Sequence, residues 1–232
     1  ILNKKIGEPV TESLKAGIRF VFQNKIILNA LSLDMFAVLF GGAVALLPVF
    51  ADDILKTGEI GYGWLRAAPG IGSVIVLVLL SFFPLKHKPG IKLLFGIAGF
   101  GVTTIVFGLS GYFDNSLLFT TGGLRVSLAF LIAFFMLLAG GMFDAVSVVI
   151  RGTILQVYTP DNMRGRVGAV NTMFISSSNE LGAMESGVTA KLMGAVPAVV
   201  FGGAMTLVVV LVTWFKAPSL RILTLHHDND KK

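Results

Sequence analysis

Six almost uninterrupted apolar runs, at approximately 26–50, 62–84, 92–113, 126–150, 167–189 and 195–215, dominate this chain. The hydrocarbon core of a bilayer is about 30 Å thick and a helix crosses it in about 20 residues, so each run is long enough to span. Lipid leaves helices and closed barrels as the only spanning backbones whose polar groups are all satisfied, and the ~10-residue alternation of barrel strands is absent. The sequence therefore predicts an all-α membrane protein with six transmembrane helices. Composition agrees. Of 232 residues, 54% are hydrophobic before the 27 glycines are added and only 14% are charged, too few ionic groups to cover a water-soluble globule of this mass. Disorder and nucleic-acid binding are excluded on the same grounds, and the formal charge of +6 needs no polyanion partner because the basic residues cluster at the ends of apolar runs. The absence of cysteine removes disulfides, thiolate metal sites and cysteine nucleophiles together. Opening on Ile1, with Asn3, Lys4 and Lys5 behind it, the chain is expected to be part of a longer protein and to carry no signal peptide of its own.

The distribution of positive charge orients the spans. Lys4, Lys5, Lys15, Arg19 and Lys25, then Lys86, Lys88 and Lys92, then Arg151, Arg164 and Arg166, then Lys216, Arg221, Lys231 and Lys232 fall on one side, leaving only Lys56, Arg66, Arg125 and Lys191 on the other. By the positive-inside rule both termini are cytoplasmic, as in a bacterial inner membrane. Tyr62, Trp64, Tyr112 and Trp214 stand where interfacial rings would sit. Three regions follow. Residues 1–25 form a cytoplasmic linker with an amphipathic interfacial helix, in which Glu8-Pro9 marks the start and Leu14, Ile18, Val21 and Phe22 recur beside Lys15 and Arg19; residues 26–215 form the six-helix bundle; residues 216–232 form a cytoplasmic tail.

Charges inside the spans are costly unless they face protein or water. Asp34 lies in the first span, Arg66 in the second, Asp144 in the fourth, and Glu180 and Glu185 in the fifth, whereas the third and sixth have none. Two charged spans followed by a plain one, repeated once, suggest a 3+3 inverted repeat whose third members face lipid while the others line a polar cavity. Glu180, about 20 Å from the cytoplasmic start of its span, is the deepest ionisable group. Together with Asn179, Asn171 and Asp34 it is the candidate lining for substrate and protons. Asp144 and Arg151, seven residues apart and near the cytoplasmic end of their span, are candidates for a gating or structural latch. Arg66 and Glu185 lie near the outer surface, where they can snorkel.

No catalytic constellation competes with this reading. The three histidines, His87, His226 and His227, fall in loop or tail, away from any membrane-depth serine, and no His-Glu-x-x-His run exists, so no catalytic residue, metal site or cofactor is expected. An Asp34–Asp144 protease pair lacks the Gly-x-Gly-Asp context at Gly140-Gly141-Met142-Phe143-Asp144. Gly41-Gly42, Gly96 to Gly101, Gly140-Gly141, Gly182 with Ser186, and Gly202-Gly203 read as close helix packing, and Pro69-Gly70-Ile71-Gly72 as a kinked or flexible segment.

The connection into the fifth span runs Thr159-Pro160-Asp161-Asn162-Met163-Arg164-Gly165-Arg166-Val167, followed by Ser178-Asn179-Glu180-Leu181-Gly182. This resembles the major facilitator superfamily, in its enterobactin-exporter-like and macrolide-efflux-like branch, at the loop before the eleventh helix and that helix itself. The segment Ser13-Leu14-Lys15-Ala16-Gly17-Ile18-Arg19-Phe20 is similar to the central linker of the family. The resemblance implies that the chain is the C-terminal six-helix half of a secondary exporter of small amphipathic molecules, coupled to protons. It also implies as partners the missing N-terminal half, the bilayer and a small-molecule substrate. From the residues themselves, Thr159 is expected to cap the fifth helix with Pro160 in its first turn and Asp161 against its positive end, while Arg164 and Arg166 anchor that end at headgroups. A six-span scaffold or assembly subunit that transports nothing is the alternative, and it would tolerate amide substitutions at Asp34 and Glu180.

Overall fold

A computed structural model describes residues 10–83 and 88–223. Lys4, Lys5, the helix start at Glu8-Pro9, Lys86, the three histidines and the terminal lysines lie outside them. Helix α1 (Val10–Gln23) is separated from α2 (Lys25–Gly41) by Asn24, whose Oδ1 accepts from Ile26 N–H and Ile27 N–H at 3.1 and 3.3 Å, a side-chain cap that starts the second helix on new donors. Helix α1 packs on the start of a later helix, α7 (Arg164–Met193), while Phe22 of its apolar stripe stays exposed. Gly17 is close against the Arg166 carbonyl, and Val21 is buried with Ile27, Leu31, Val167 and Val170.

The first apolar run is not one helix. After Gly41 the chain continues as a 3-10 turn (Ala43–Leu46), a single turn α3 (Leu47–Val49) and a π-helical turn (Phe50–Ile54). Gly41-Gly42 sits at the break, and the hydroxyl of Ser186 on α7 donates to the carbonyl of Gly42 at 3.3 Å, supplying a partner that lipid could not. Helix α4 (Gly58–Phe82) carries Pro69 without interruption. Helix α5 (Pro89–Leu109) starts on a proline whose missing N–H costs nothing at that position.

The fourth run also departs from its expected limits. Its first residues belong to a hairpin, β1 (Leu117–Thr121) paired antiparallel with β2 (Leu124–Ser127), and helix α6 (Leu128–Tyr158) then runs eight residues beyond 150. Positive φ at Gly122 and Gly123 makes the tight turn, as two-residue hairpin loops require. Helix α8 (Ala195–Lys216) and the short α9 (Pro218–Arg221) are the last elements among the described residues.

Among the described residues, five segments are long and apolar enough to cross a membrane: Lys25–Ile54, Gly58–Phe82, Pro89–Tyr112, Leu128–Tyr158 and Ala195–Lys216. The fifth expected span, α7, has the length but not the apolarity, because Ser176-Ser177-Ser178-Asn179-Glu180 and Glu185 interrupt it. Neighbours are consistent along the bundle: α2 packs on α7 and α8, α6 packs on α4 and α5, and α5 packs on α8. The expected lipid-facing role of the third span fails, since α5 is wedged between α6 and α8 and is the most enclosed of the five. Backbones meet at glycine. A side chain at Gly72 would strike the Leu138 carbonyl, one at Gly141 the Pro69 carbonyl, one at Gly182 the carbonyls of Val38 and Leu39, and one at Gly202 the Phe40 carbonyl.

Candidate functional site

These close approaches bring α2, α4, α5, α6 and α7 around one cavity of about 650 Å³. Its floor is α5, which presents Phe100, Thr103, Thr104 and Phe107; Val38 and Gly41 come from α2, Met136, Leu137 and Asp144 from α6, Arg66 and Ser73 from α4, and Asn179 and Glu180 from α7. The wall is largely apolar, and most of its hydroxyls are already committed. Thr103 and Thr104 each donate to the Phe100 carbonyl at 2.9 Å, and Ser73 Oγ lies 2.9 Å from the Pro69 carbonyl and 3.0 Å from that of Gly141. Among the described residues, the side chains of Arg66, Asp144, Asn179 and Glu180 have no side-chain hydrogen bond or ion pair.

Two of the four expected lining residues, Glu180 and Asn179, are in this cavity, and Asp144 joins them. Because α6 extends to Tyr158, Asp144 lies 14 residues from its end, about 21 Å along the axis, and Glu180 lies 16 residues from the start of α7, about 24 Å. The two carboxylates are therefore at similar depth. Asp34 is elsewhere. Only 4% exposed, it forms an ion pair with Arg151, itself 5% exposed, across α2 and α6. Arg151 thus pairs between helices rather than with Asp144 on its own helix, since Arg151 turns toward α2 and Asp144 toward the cavity. Asn171 is half-buried outside the cavity lining.

The turn before α7 differs from its expected form. Thr159 ends α6 as its buried C-cap, Met163 N–H donates to the Pro160 carbonyl at 2.9 Å, and α7 begins at Arg164 with no side-chain cap. Asp161 reaches Arg164 at 3.0 Å on an exposed surface, and Arg166 Nη1 donates to Met163 Sδ at 3.8 Å. Sequence reasoning missed Arg66, which was placed at the outer surface; its spacing from Pro69 and Ser73 on one face of α4 was the available signal. Among the described residues there is no group of three His, Asp or Glu that could hold a metal ion.

The described chain thus buries one interhelical ion pair and lines a largely apolar cavity with two acids, an amide and a guanidinium. The family described as transmembrane secretion effector matches residues 2–229. No curated protein matches, and no solved structure does.

Proposed function

This chain belongs to the transmembrane secretion effector family of major facilitator transporters, and from that premise we propose that it is the C-terminal six-helix half of a proton-coupled exporter. Its cargo is a small amphipathic molecule, moved by alternating access across a bacterial inner membrane with both termini cytoplasmic. The branch is the enterobactin-exporter-like and macrolide-efflux-like one. The observation that carries the reading is the placement of Asp144 and Glu180, on two helices and at comparable depth, in one apolar cavity. Carboxylates in such a place can take protons on one side and release them on the other as access alternates.

In this reading α7 crosses the membrane as the fifth of six spans. Its small seam of Ser178, Gly182, Ser186 and Thr189 is buried against the bundle and its polar face lines the path, which is how a helix too polar for lipid can still cross. The 3+3 repeat is supported by an exchange of neighbours. Ser186 of α7 bonds Gly42 as Ser73 of α4 bonds Gly141, and Gly182 approaches Leu39 as Gly72 approaches Leu138. Exchanging the first span for the fourth, and the second for the fifth, maps one set of contacts on the other.

The test is Glu180→Gln in the full-length protein. The amide mimics the protonated acid, so the variant should reach the membrane yet lose pH-gradient-driven export, whereas Glu185→Gln, whose carboxylate already accepts from Thr189 Oγ1 at 2.8 Å, should lose little. Unchanged rate and pH dependence in Glu180→Gln would refute proton coupling at this residue.

A further inference from the structure

The cavity is polarised along the bundle axis, and one end of it holds a charge that no proton can remove. Helices α4 and α6 run in the same direction, since Leu65 shares a core with Phe130 and Ala133 while Ser73, further along α4, bonds Gly141, further along α6. Arg66 precedes Ser73 by seven residues and Asp144 follows Gly141 by three, so their backbones are about 15 Å apart along the axis. Glu180 lies on the Asp144 side. It precedes Gly182, which meets Val38 and Leu39, whereas Gly41, further along α2, is level with Gly140 at the ring of Phe100. The two carboxylates therefore share one end and Arg66 occupies the other, forming no ion pair among the described residues.

We propose that Arg66 is a specificity-determining residue, which binds an anionic group of the transported molecule while the apolar body of that molecule lies over Phe100, Met136 and Leu137. The proposal rests on the transporter reading above for the identity of the cavity. Carboxylates change charge with their protons, but a guanidinium stays cationic and presents a planar fork of donors that suits a carboxylate, sulfonate or catecholate. The nearby hydroxyls of Ser73, Thr103 and Thr104 are engaged by backbone carbonyls, and among the described residues no other side chain lining the cavity carries a fixed positive charge.

Two apolar ions of nearly equal shape and opposite sign, tetraphenylborate and tetraphenylphosphonium, separate charge recognition from general apolar binding. Binding is read by titration calorimetry on the detergent-purified full-length gene product. Arg66→Gln should weaken tetraphenylborate by about tenfold or more while leaving tetraphenylphosphonium within about twofold, the loss expected for one through-space charge attraction, since tetraphenylborate offers no hydrogen-bond acceptor and reports the sign of the charge alone. Arg66→Lys should retain part of the anion affinity, and Arg66→Glu should reverse the preference. Equal affinity of all four proteins for tetraphenylborate overturns the proposal, as does parallel loss of both ions in Arg66→Gln and Arg66→Lys, which would mark Arg66 as structural. The two readings fail separately. A wild type that exports under a pH gradient yet binds both ions indifferently to Arg66 defeats only this inference, while a wild type that moves nothing under any gradient defeats only the transporter reading.

Discussion

Asp34 and Arg151 show what a buried charge does in this chain. The pair lies in the packed end of the bundle below the cavity, between a cluster containing Leu33, Ile150 and Ile154 and another containing Leu31 and Leu155. Removing one partner strands the other, which typically costs about 3–5 kcal/mol, whereas replacing both by apolar side chains is often neutral. Asp34→Asn and Arg151→Gln should therefore each lower the thermal unfolding midpoint in detergent sharply, and the double variant Asp34→Leu/Arg151→Met should recover most of the loss. Additive losses in the double variant would show that the two charges are not coupled. Glycines divide in the same way by surroundings. Gly72→Val drives a side chain into the Leu138 carbonyl and should force α4 from α6, but Gly152→Ala, with nothing within 4 Å, should be neutral or raise stability by up to about 1 kcal/mol. The same unfolding assay decides both.

The segment between α5 and α6 ties neighbouring helix ends together. Asn115 Nδ2 donates to the carbonyls of Ile54 and Leu55, both at 3.0 Å, closing the end of the π-helical turn. Asn115→Ala should therefore speed amide exchange in 50–57 and in 114–127 together; faster exchange in the hairpin alone would mean that the tether carries no load. Next to it, hydrogen bonds from Ser116 N–H and Oγ hold the carboxyl of Asp114 below the usual carboxylate range. A lowered folded value means that its contribution is complete above the unfolded value of about 3.9 and is lost only as pH falls through the lowered one. Acidification to about pH 5 should thus leave the turn intact by the same exchange measurement. Apolar length located the five apolar helices, but it could not register the break at Gly42, because the residues after the break remain apolar and only contact with Ser186 distinguishes them. The hairpin was hidden for another reason: most of it lies in the connection between the runs 92–113 and 126–150, where strands of five and four residues are too short to show a period. In the cavity, Glu180, Asn179 and Asp144 were legible as polar residues in apolar runs. The partner of Asp34 was not, since it lies on another helix 117 positions away.

At the scale of the whole molecule, the orientation can be tested directly because the chain has no native cysteine. Single cysteines at Lys56 and Lys191 should react with an impermeant thiol reagent added to intact cells, and those at Lys88 and Asn162 should not. The reverse labelling would invert the topology. The composition of α7 has a consequence for how the protein is made. A ribosome delivers this helix after α6 and before α8, at a moment when nothing apolar enough within it favours release from the insertion machinery into lipid. Its seam of Ser178, Gly182 and Ser186 fits α2, synthesised about 140 residues earlier, so integration must wait for an old neighbour to be held nearby or for α8 to arrive. If α7 spans as proposed above, a released chain truncated just before Ala195 should leave a cysteine at Lys191 unlabelled by an impermeant thiol reagent added to intact cells, and one extending beyond Lys216 should label there.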